Sequence, residues 1–321
     1  MIMRLLEKIL FVFLFLMTPQ AMAQVEEQLT PVQKKQKTLV TEPQTLYKGF
    51  VRGGLSFSYG TVDKYFDANG TRKSFTTNIW ASSWFVQAFV VYGVTDRLQV
   101  EFRLPYRVNN IYQSYDLELD QVETIKWNAS GNGLGDVNVG LGYQLVTENP
   151  LRPSLTSYFT ASLPTGKKNP EAVVNDREYK RPSGSGEPSL DVRLQVRRIA
   201  YPFSYTASVS YTYFFGGKKI LDPLDSQERP FRSGNNFNMD GSFNFHLNDW
   251  IAIQNTLTYF LSGKDEFDGV PEEENSWVLQ YYPGLSFQVK RFRINEVFLV
   301  PISGRQSSAD PSYIFALSYV F

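Results

Sequence analysis

The chain has 321 residues, no cysteine, and 32 basic residues against 32 acidic ones, so it carries no formal net charge. That excludes a disulfide framework or a thiolate site, and it leaves no basic footprint for nucleic acid. Aromatic residues are abundant at 15%, with 19 Tyr and 25 Phe, whereas histidine occurs once, at His246, which is too few for a transition-metal cluster.

Arg4 and Lys8 flank a short charged region, Ile9 to Met17 is continuously apolar, and Ala21-Met22-Ala23 has the small-x-small form of a cleavage site. The spacing predicts a secretory signal peptide over 1–23. Outside it no apolar run reaches the length of a spanning helix. Residues 24–48 are polar, hold Pro31, Pro43 and the basic cluster Lys34, Lys35, Lys37, and read as a flexible periplasmic lead-in.

From residue 49 to 321 a period of two takes over. Strands are expected at 49–60, 79–92, 97–109, 134–146, 153–164, 188–199, 203–215, 235–247, 250–262, 276–289, 291–303 and 311–321. The connections alternate between short turns and longer loops at 61–78, 110–133, 165–187, 216–234, 263–275 and 304–310. An even strand number with short turns at one end is the pattern of a transmembrane up-and-down antiparallel β-barrel of about 12 strands, an all-β fold of the bacterial outer membrane. It places both termini in the periplasm.

Alternation is clean in several strands. Phe203, Tyr205, Val209, Tyr211 and Tyr213 oppose Ser204, Thr206, Ser208, Ser210 and Thr212, and Leu190, Val192, Leu194 and Val196 oppose Asp191, Arg193, Gln195 and Arg197. Asn255 in 250–262 and Glu296 in 291–303 interrupt the apolar parity, so those registers stay open. A soluble barrel and a membrane barrel alternate alike; charge decides the sense. An Arg facing lipid at mid-depth costs about 2–4 kcal/mol, so the charged parity belongs in the bore. The expected pore-lining residues are Arg97, Glu101, Arg103, Arg107, Asp136, Asp191, Arg193, Arg197 and Asp240. With strands about 4.8 Å apart and tilted about 40°, twelve of them close at a diameter of roughly 24 Å, leaving about 12 Å between side chains. That admits a small molecule and no folded protein.

The last stretch, Ser312 to Phe321, puts Tyr313, Phe315, Leu317, Tyr319 and Phe321 on one face. A strand ending on Phe resembles the closing strand of bacterial outer-membrane barrels. The resemblance implies recognition of that end by the barrel-assembly machinery, with membrane lipid and lipopolysaccharide as surroundings.

Tyr92-Gly93-Val94-Thr95-Asp96-Arg97-Leu98, Leu104-Pro105-Tyr106, Gly133-Leu134-Gly135-Asp136, Leu163-Pro164-Thr165-Gly166-Lys167 and Gly184-Ser185-Gly186 occur in that order. Together they resemble the outer-membrane barrels grouped as "Putative MetA-pathway of phenol degradation". The resemblance implies passage of small hydrophobic or aromatic compounds. Each piece also has a plain structural role, as a hairpin turn, a strain-relieving Gly or a strand-ending Pro.

The composite expectation is a monomeric channel that passes small solutes passively, without cofactor or metal. An anion or acidic-oligosaccharide pore using the arginines is the alternative, and a structural or adhesive barrel with a blocked lumen is another. Catalysis is not expected: a barrel phospholipase needs a His-x-Ser arrangement, and His246 is followed by Leu247 and Asn248. The acidic residues Asp265, Asp268 and Glu272 to Glu274 read as a solvated loop.

Overall fold

In a computed structural model the described residues are 45–75, 79–117, 123–148, 152–173, 178–220, 227–271 and 274–321. The expected signal peptide lies outside them. The barrel strands are β1 Val51–Val62, β2 Ile79–Gly93, β3 Leu98–Leu117, β4 Val137–Val146, β5 Ser154–Leu163 and β6 Ser189–Ala200. They continue as β7 Phe203–Phe214, β8 Asn236–His246, β9 Ile251–Ser262, β10 Ser276–Val289, β11 Phe292–Arg305 and β12 Ser312–Val320. Each pairs antiparallel with its neighbours in sequence. β1 closes the ring on β12, running from Arg52↔Val320 to Gly60↔Ser312. Closure leaves no open edge, the one condition under which a sheet can stand in lipid.

The wall is turned with its large apolar residues outward. Leu55, Trp84, Phe102, Leu141, Phe159, Leu194, Tyr211, Met239, Leu257 and Phe298 are all exposed, whereas Gln99, Gln144, Thr156, Ser208 and Asn244 are buried. Rings pair across strands on the outer face, as Phe57 and Tyr59 do with Trp84, and Phe298 with Tyr313. This inversion of a soluble protein's polarity defines a transmembrane barrel. Register settles the two ambiguous strands: Asn255 pairs with Phe243 and Pro283, and Glu296 with Leu285 and Phe315, so both polar residues face outward.

One expected loop is a strand. The segment 110–133 continues β3 to Leu117 and returns over Glu123–Leu134 as a β-hairpin. Between Tyr106 and Ser130 the sequence has neither Gly nor Pro, so nothing stops the ladder at the membrane boundary. Below this arm β3 changes partner, pairing with β4 over Leu98 to Arg103. The change falls at Pro105, which has no N–H to give and whose carbonyl accepts from Gly135 N at 2.9 Å. Short strands 171–173 and 178–180 of the loop after β5 extend this arm, and those in the other long loops form two small sheets: residues 217–220, 228–232, 266–267 and 270–271 in one, and 64–66, 72–74 and 307–308 in the other.

Candidate functional site

The bore is built from alternate residues of every strand. On β3 the inward set is Gln99, Glu101, Arg103, Pro105, Arg107 and Asn109, and the residues opposite them on β2 are Gly93, Val91, Phe89, Gln87, Phe85 and Ser83. Direct cross-strand partners share a face, so Arg103 stands beside Phe89 and Arg107 beside Phe85. Phe89 reaches over β1, because a Cβ on Gly54 would lie 2.5 Å from its ring. The absence of a side chain at Gly54 seats that ring. Arg103 Nε donates to Glu101 Oε1, and the Arg103 side chain remains 41% exposed.

The facing wall is hydroxyl- and amide-rich. Thr212 Oγ1 donates to Asp191 at 2.9 Å, and Ser208 Oγ donates to Asp240 at 2.8 Å, with Asn238 Nδ2 at 3.3 Å. These carboxylates are held by their own wall. Arg193 lies between Tyr158 of β5 and Ser210 of β7, and its Nε has no acceptor among the described residues.

At the mouth bearing the short turns, the chain before β1 lies against the inner wall. Leu46 N donates to Gln99 Oε1 at 2.9 Å, Thr45 Oγ1 to Gln144 Oε1 at 3.4 Å, and Lys48 N to Asp96 Oδ1 at 3.2 Å. Gly93 makes the approach feasible, since a Cβ there would fall 2.0 Å from Tyr47 O. Burial, with the negative charge of Asp96 adding to it and Arg197 opposing, pushes the Tyr47 hydroxyl up to about 12. Arg197 and Glu148 form a buried pair, Nε to Oε2 3.8 Å, with side chains 4% and 3% exposed. Glu148 also accepts from Ile199 N.

His246 is inward here, and the serine that its own sequence neighbourhood lacks comes from β7. His246 Nε2 and Ser204 Oγ are 3.1 Å apart, and Asn244 Nδ2 donates to the same Oγ at 3.2 Å. Ser204 is 0% exposed and His246 1%, so no solute reaches the pair. It holds β7 to β8.

At the opposite mouth, three of the Gly-rich sequence pieces meet. The Asp136 carboxylate accepts from Gly166 N at 3.0 Å, Ser185 N at 2.6 Å and Ser185 Oγ at 2.7 Å. Ser183 Oγ donates to Leu134 O at 2.7 Å and accepts from Lys167 N at 3.2 Å. The device repeats around the rim. Glu187, fully buried, accepts from Ser233 N and Oγ; Asp265 accepts from Gly234 N at 2.8 Å; Asp310 accepts from Asp63 N and from Lys64 N at 2.7 Å. Each is a carboxylate at a strand end taking backbone N–H groups of another loop. Other loop acids form ion pairs, Glu266 with Arg232 at 2.6 Å, Glu274 with Arg305 at 3.0 Å, Glu228 with Lys168 at 2.8 Å and Asp67 with Lys73 at 2.7 Å. No group of three metal-ligating side chains occurs among the described residues.

The nine expected lining residues therefore divide. Glu101, Arg103, Arg107, Asp191, Arg193 and Asp240 stand along the inner wall. Arg97 is in the exposed turn before β3 rather than on the wall, Asp136 is taken up by the outer rim, and Arg197 is buried at the inner mouth. Sequence reasoning missed Gln99, Gln144, Glu148, Glu187 and Asp310. Glu187 had a signal, sitting directly after Gly184-Ser185-Gly186 and before Pro188; the others look like ordinary polar positions.

Fold, inverted polarity and mouth asymmetry define an outer-membrane β-barrel. The family model "Putative MetA-pathway of phenol degradation" matches residues 58–294, and the chain belongs to that family. Among solved structures it is similar to an outer-membrane channel from Pseudomonas putida F1, at 12% identity and TM-score 0.67, with 88% of this chain and 100% of that one covered. It is also similar to the β-domain of the Bordetella autotransporter BrkA, at 9% identity and TM-score 0.50, covering 85% of this chain and 99% of that one. At these identities the likeness is one of fold.

Proposed function

We propose that the barrel passes small solutes passively across the outer membrane, and that it favours aromatic compounds bearing a hydroxylate or carboxylate. The observation that carries this reading is the inner face of β2 and β3, where Arg103 lies opposite Phe89 and Arg107 opposite Phe85. A ring stacks on Phe while a guanidinium engages its anionic oxygen. Two further observations support it. Asp191 and Asp240 are each held by hydroxyls of their own wall, which blunts repulsion of anions. The family name speaks of phenol degradation, and the fold neighbour from Pseudomonas putida is a channel. In this reading Glu101, Arg193, Arg197, Arg97, Asp136 and Asp240 shape the field around the path rather than bind the solute.

The test is uptake into proteoliposomes, comparing benzoate with acetate and with toluene. Benzoate should enter fastest. Arg103→Ala should slow benzoate and acetate together, and Phe89→Ala should slow benzoate alone. Equal rates for all three solutes, unchanged in both variants, would leave a structural barrel as the better reading.

Residues 1–23 would act as the export signal and 24–48 as a periplasmic lead-in, since residues 45–48 enter at the mouth with the short turns. The C-terminal strand, with Phe321 N donating to Val51 O at 2.8 Å, would be the segment that the assembly machinery reads before it closes the ring.

A further inference from the structure

The lipid-facing surface is paved mostly with large side chains; small residues such as Ala88, Ser157 and Ala161 interrupt it singly, whereas two adjoin at one place. Ala207 of β7, Gly241 of β8 and Leu257 of β9 are direct cross-strand partners, all facing outward. A Cβ added to Gly241 would meet nothing within 4 Å, so packing against this protein does not require the glycine. Phe243 and Tyr205 flank the notch, which opens into a groove of about 450 Å³, within the ~300–1,000 Å³ range of small-molecule sites.

The groove is polarised along the membrane normal. Its lining holds one charged residue, Arg198, at the end near the short turns. Arg198 pairs with Tyr205 on the outer face and sits two residues from the end of β6, so its head lies at about interfacial depth. Gly241 is five residues from the end of β8, which at ~3.3 Å per residue and ~40° tilt puts the notch about 12 Å deep, at acyl-chain level. Between them stands Asn255, outward on β9, whose Oδ1 takes the Tyr281 hydroxyl and whose amide N–H groups have no acceptor among the described residues.

We propose that this groove is a specific site for one glycerophospholipid of the periplasmic leaflet. The phosphate rests on Arg198, the Asn255 amide reaches the glycerol region or a bent chain's carbonyl, and an acyl chain fills the notch over Gly241 and Ala207. A cation at headgroup depth above an apolar slot at chain depth is the charge and polarity order of a phospholipid with its head toward the periplasm. Among the described residues no acidic side chain lines the groove to oppose the phosphate.

The experiment is native mass spectrometry of the full chain, delipidated in mild detergent and titrated with phosphatidylglycerol. Variants Gly241→Leu and Arg198→Gln are compared with Leu141→Ala, an outward residue on β4 far from the groove. Folding of each variant is checked by its heat-dependent shift in gel mobility. One tightly retained lipid is expected on the wild type and on Leu141→Ala, weakened at least tenfold in Gly241→Leu and in Arg198→Gln. Equal lipid occupancy in all four proteins would overturn the site. Loss in Gly241→Leu with full retention in Arg198→Gln would overturn the phosphate assignment. A dimer that disappears in Gly241→Leu, with no lipid effect, would make the groove a subunit interface and overturn the proposal.

Discussion

Asp136 and Ser185, 49 residues apart, are joined twice: the Ser185 N–H and hydroxyl both donate to Asp136 Oδ2, at 2.6 and 2.7 Å. Oδ1 of the same carboxylate takes the Gly166 N–H at 3.0 Å. A single side chain thus fastens both ends of the loop between β5 and β6 to the start of β4. Hydrogen bonds to a charged acceptor are worth about 1.5–3 kcal/mol each, and shared ones do not add fully. Asp136→Ala should therefore cost about 3 kcal/mol in reversible urea unfolding from detergent micelles. Asp136→Asn keeps one acceptor oxygen and should lose about half as much. If Asp136→Ala unfolds at the wild-type urea midpoint, the knot is ornamental.

The knot also requires two glycines back to back. A Cβ on Gly166 would lie 2.7 Å from the Gly184 Cα, and one on Gly184 would lie 2.6 Å from Asp136 Oδ1 and 2.8 Å from the Gly166 Cα. Backbone against backbone cannot yield as a flexible side chain does. Gly166→Ala and Gly184→Ala should each destabilise by about 1–3 kcal/mol. Gly140→Ala is the control. Its nearest neighbour, Thr160 Oγ1, would be 3.3 Å away, and a hydroxyl can rotate aside. Equal unfolding midpoints for all three variants would show that the rim relaxes freely.

What the sequence exposed and what it concealed follow from range. Alternation is a local property, repeated in each strand, and so the strand count, the inward parity of Arg103 and Asp191 and the asymmetry of the mouths were all legible. A long hairpin arm was hidden because 110–133 looks polar, although from Tyr106 to Ser130 it has no Gly or Pro to break a ladder. Asn255 and Glu296 confused two registers because each is a polar residue on an apolar face, and only the neighbouring strands decide such a case. The rim ties join residues as far apart as Asp63 and Asp310, 247 positions. No spacing rule brings those together; closure of the ring does. The same holds for Ser204, which comes to His246 from another strand.

The tie between Asp63 and Asp310 makes part of the outer rim sensitive to pH. Asp310 accepts from the Asp63 and Lys64 N–H groups, and the hydrogen bond between the two carboxyls, aided by desolvation and mutual repulsion, raises the Asp63 pKa above the ordinary carboxylate value. A carboxyl raised on folding contributes stability while it is protonated, below its unfolded pKa. That contribution disappears as pH rises through the folded value. Amide exchange in 63–66 and 307–309 should accordingly speed up as pH climbs from about 3.5 to neutrality, beyond the intrinsic base catalysis seen in an unstructured peptide. Asp63→Asn, which keeps a donor at every pH, should flatten the excess. An identical pH slope in the variant and the wild type would rule this link out.

At the other mouth the buried pair of Arg197 and Glu148 gives a test in the opposite sense. With both side chains almost fully enclosed, neither charge has water to fall back on once its partner is gone. Removing one member of such a pair typically costs about 3–5 kcal/mol, whereas replacing both by neutral groups of similar shape is often close to neutral. Arg197→Met should therefore be strongly destabilising. The pair Arg197→Met with Glu148→Gln should recover most of the loss, because Gln keeps a carbonyl for the Ile199 N–H that Glu148 now accepts. Arg197 also lowers the pKa of Tyr47 against the burial that raises it, so the Tyr47 hydroxyl should titrate at still higher pH in both variants, followed by ultraviolet difference spectroscopy. A double variant no more stable than Arg197→Met alone would show that the arginine holds the inner mouth through packing and not through its charge.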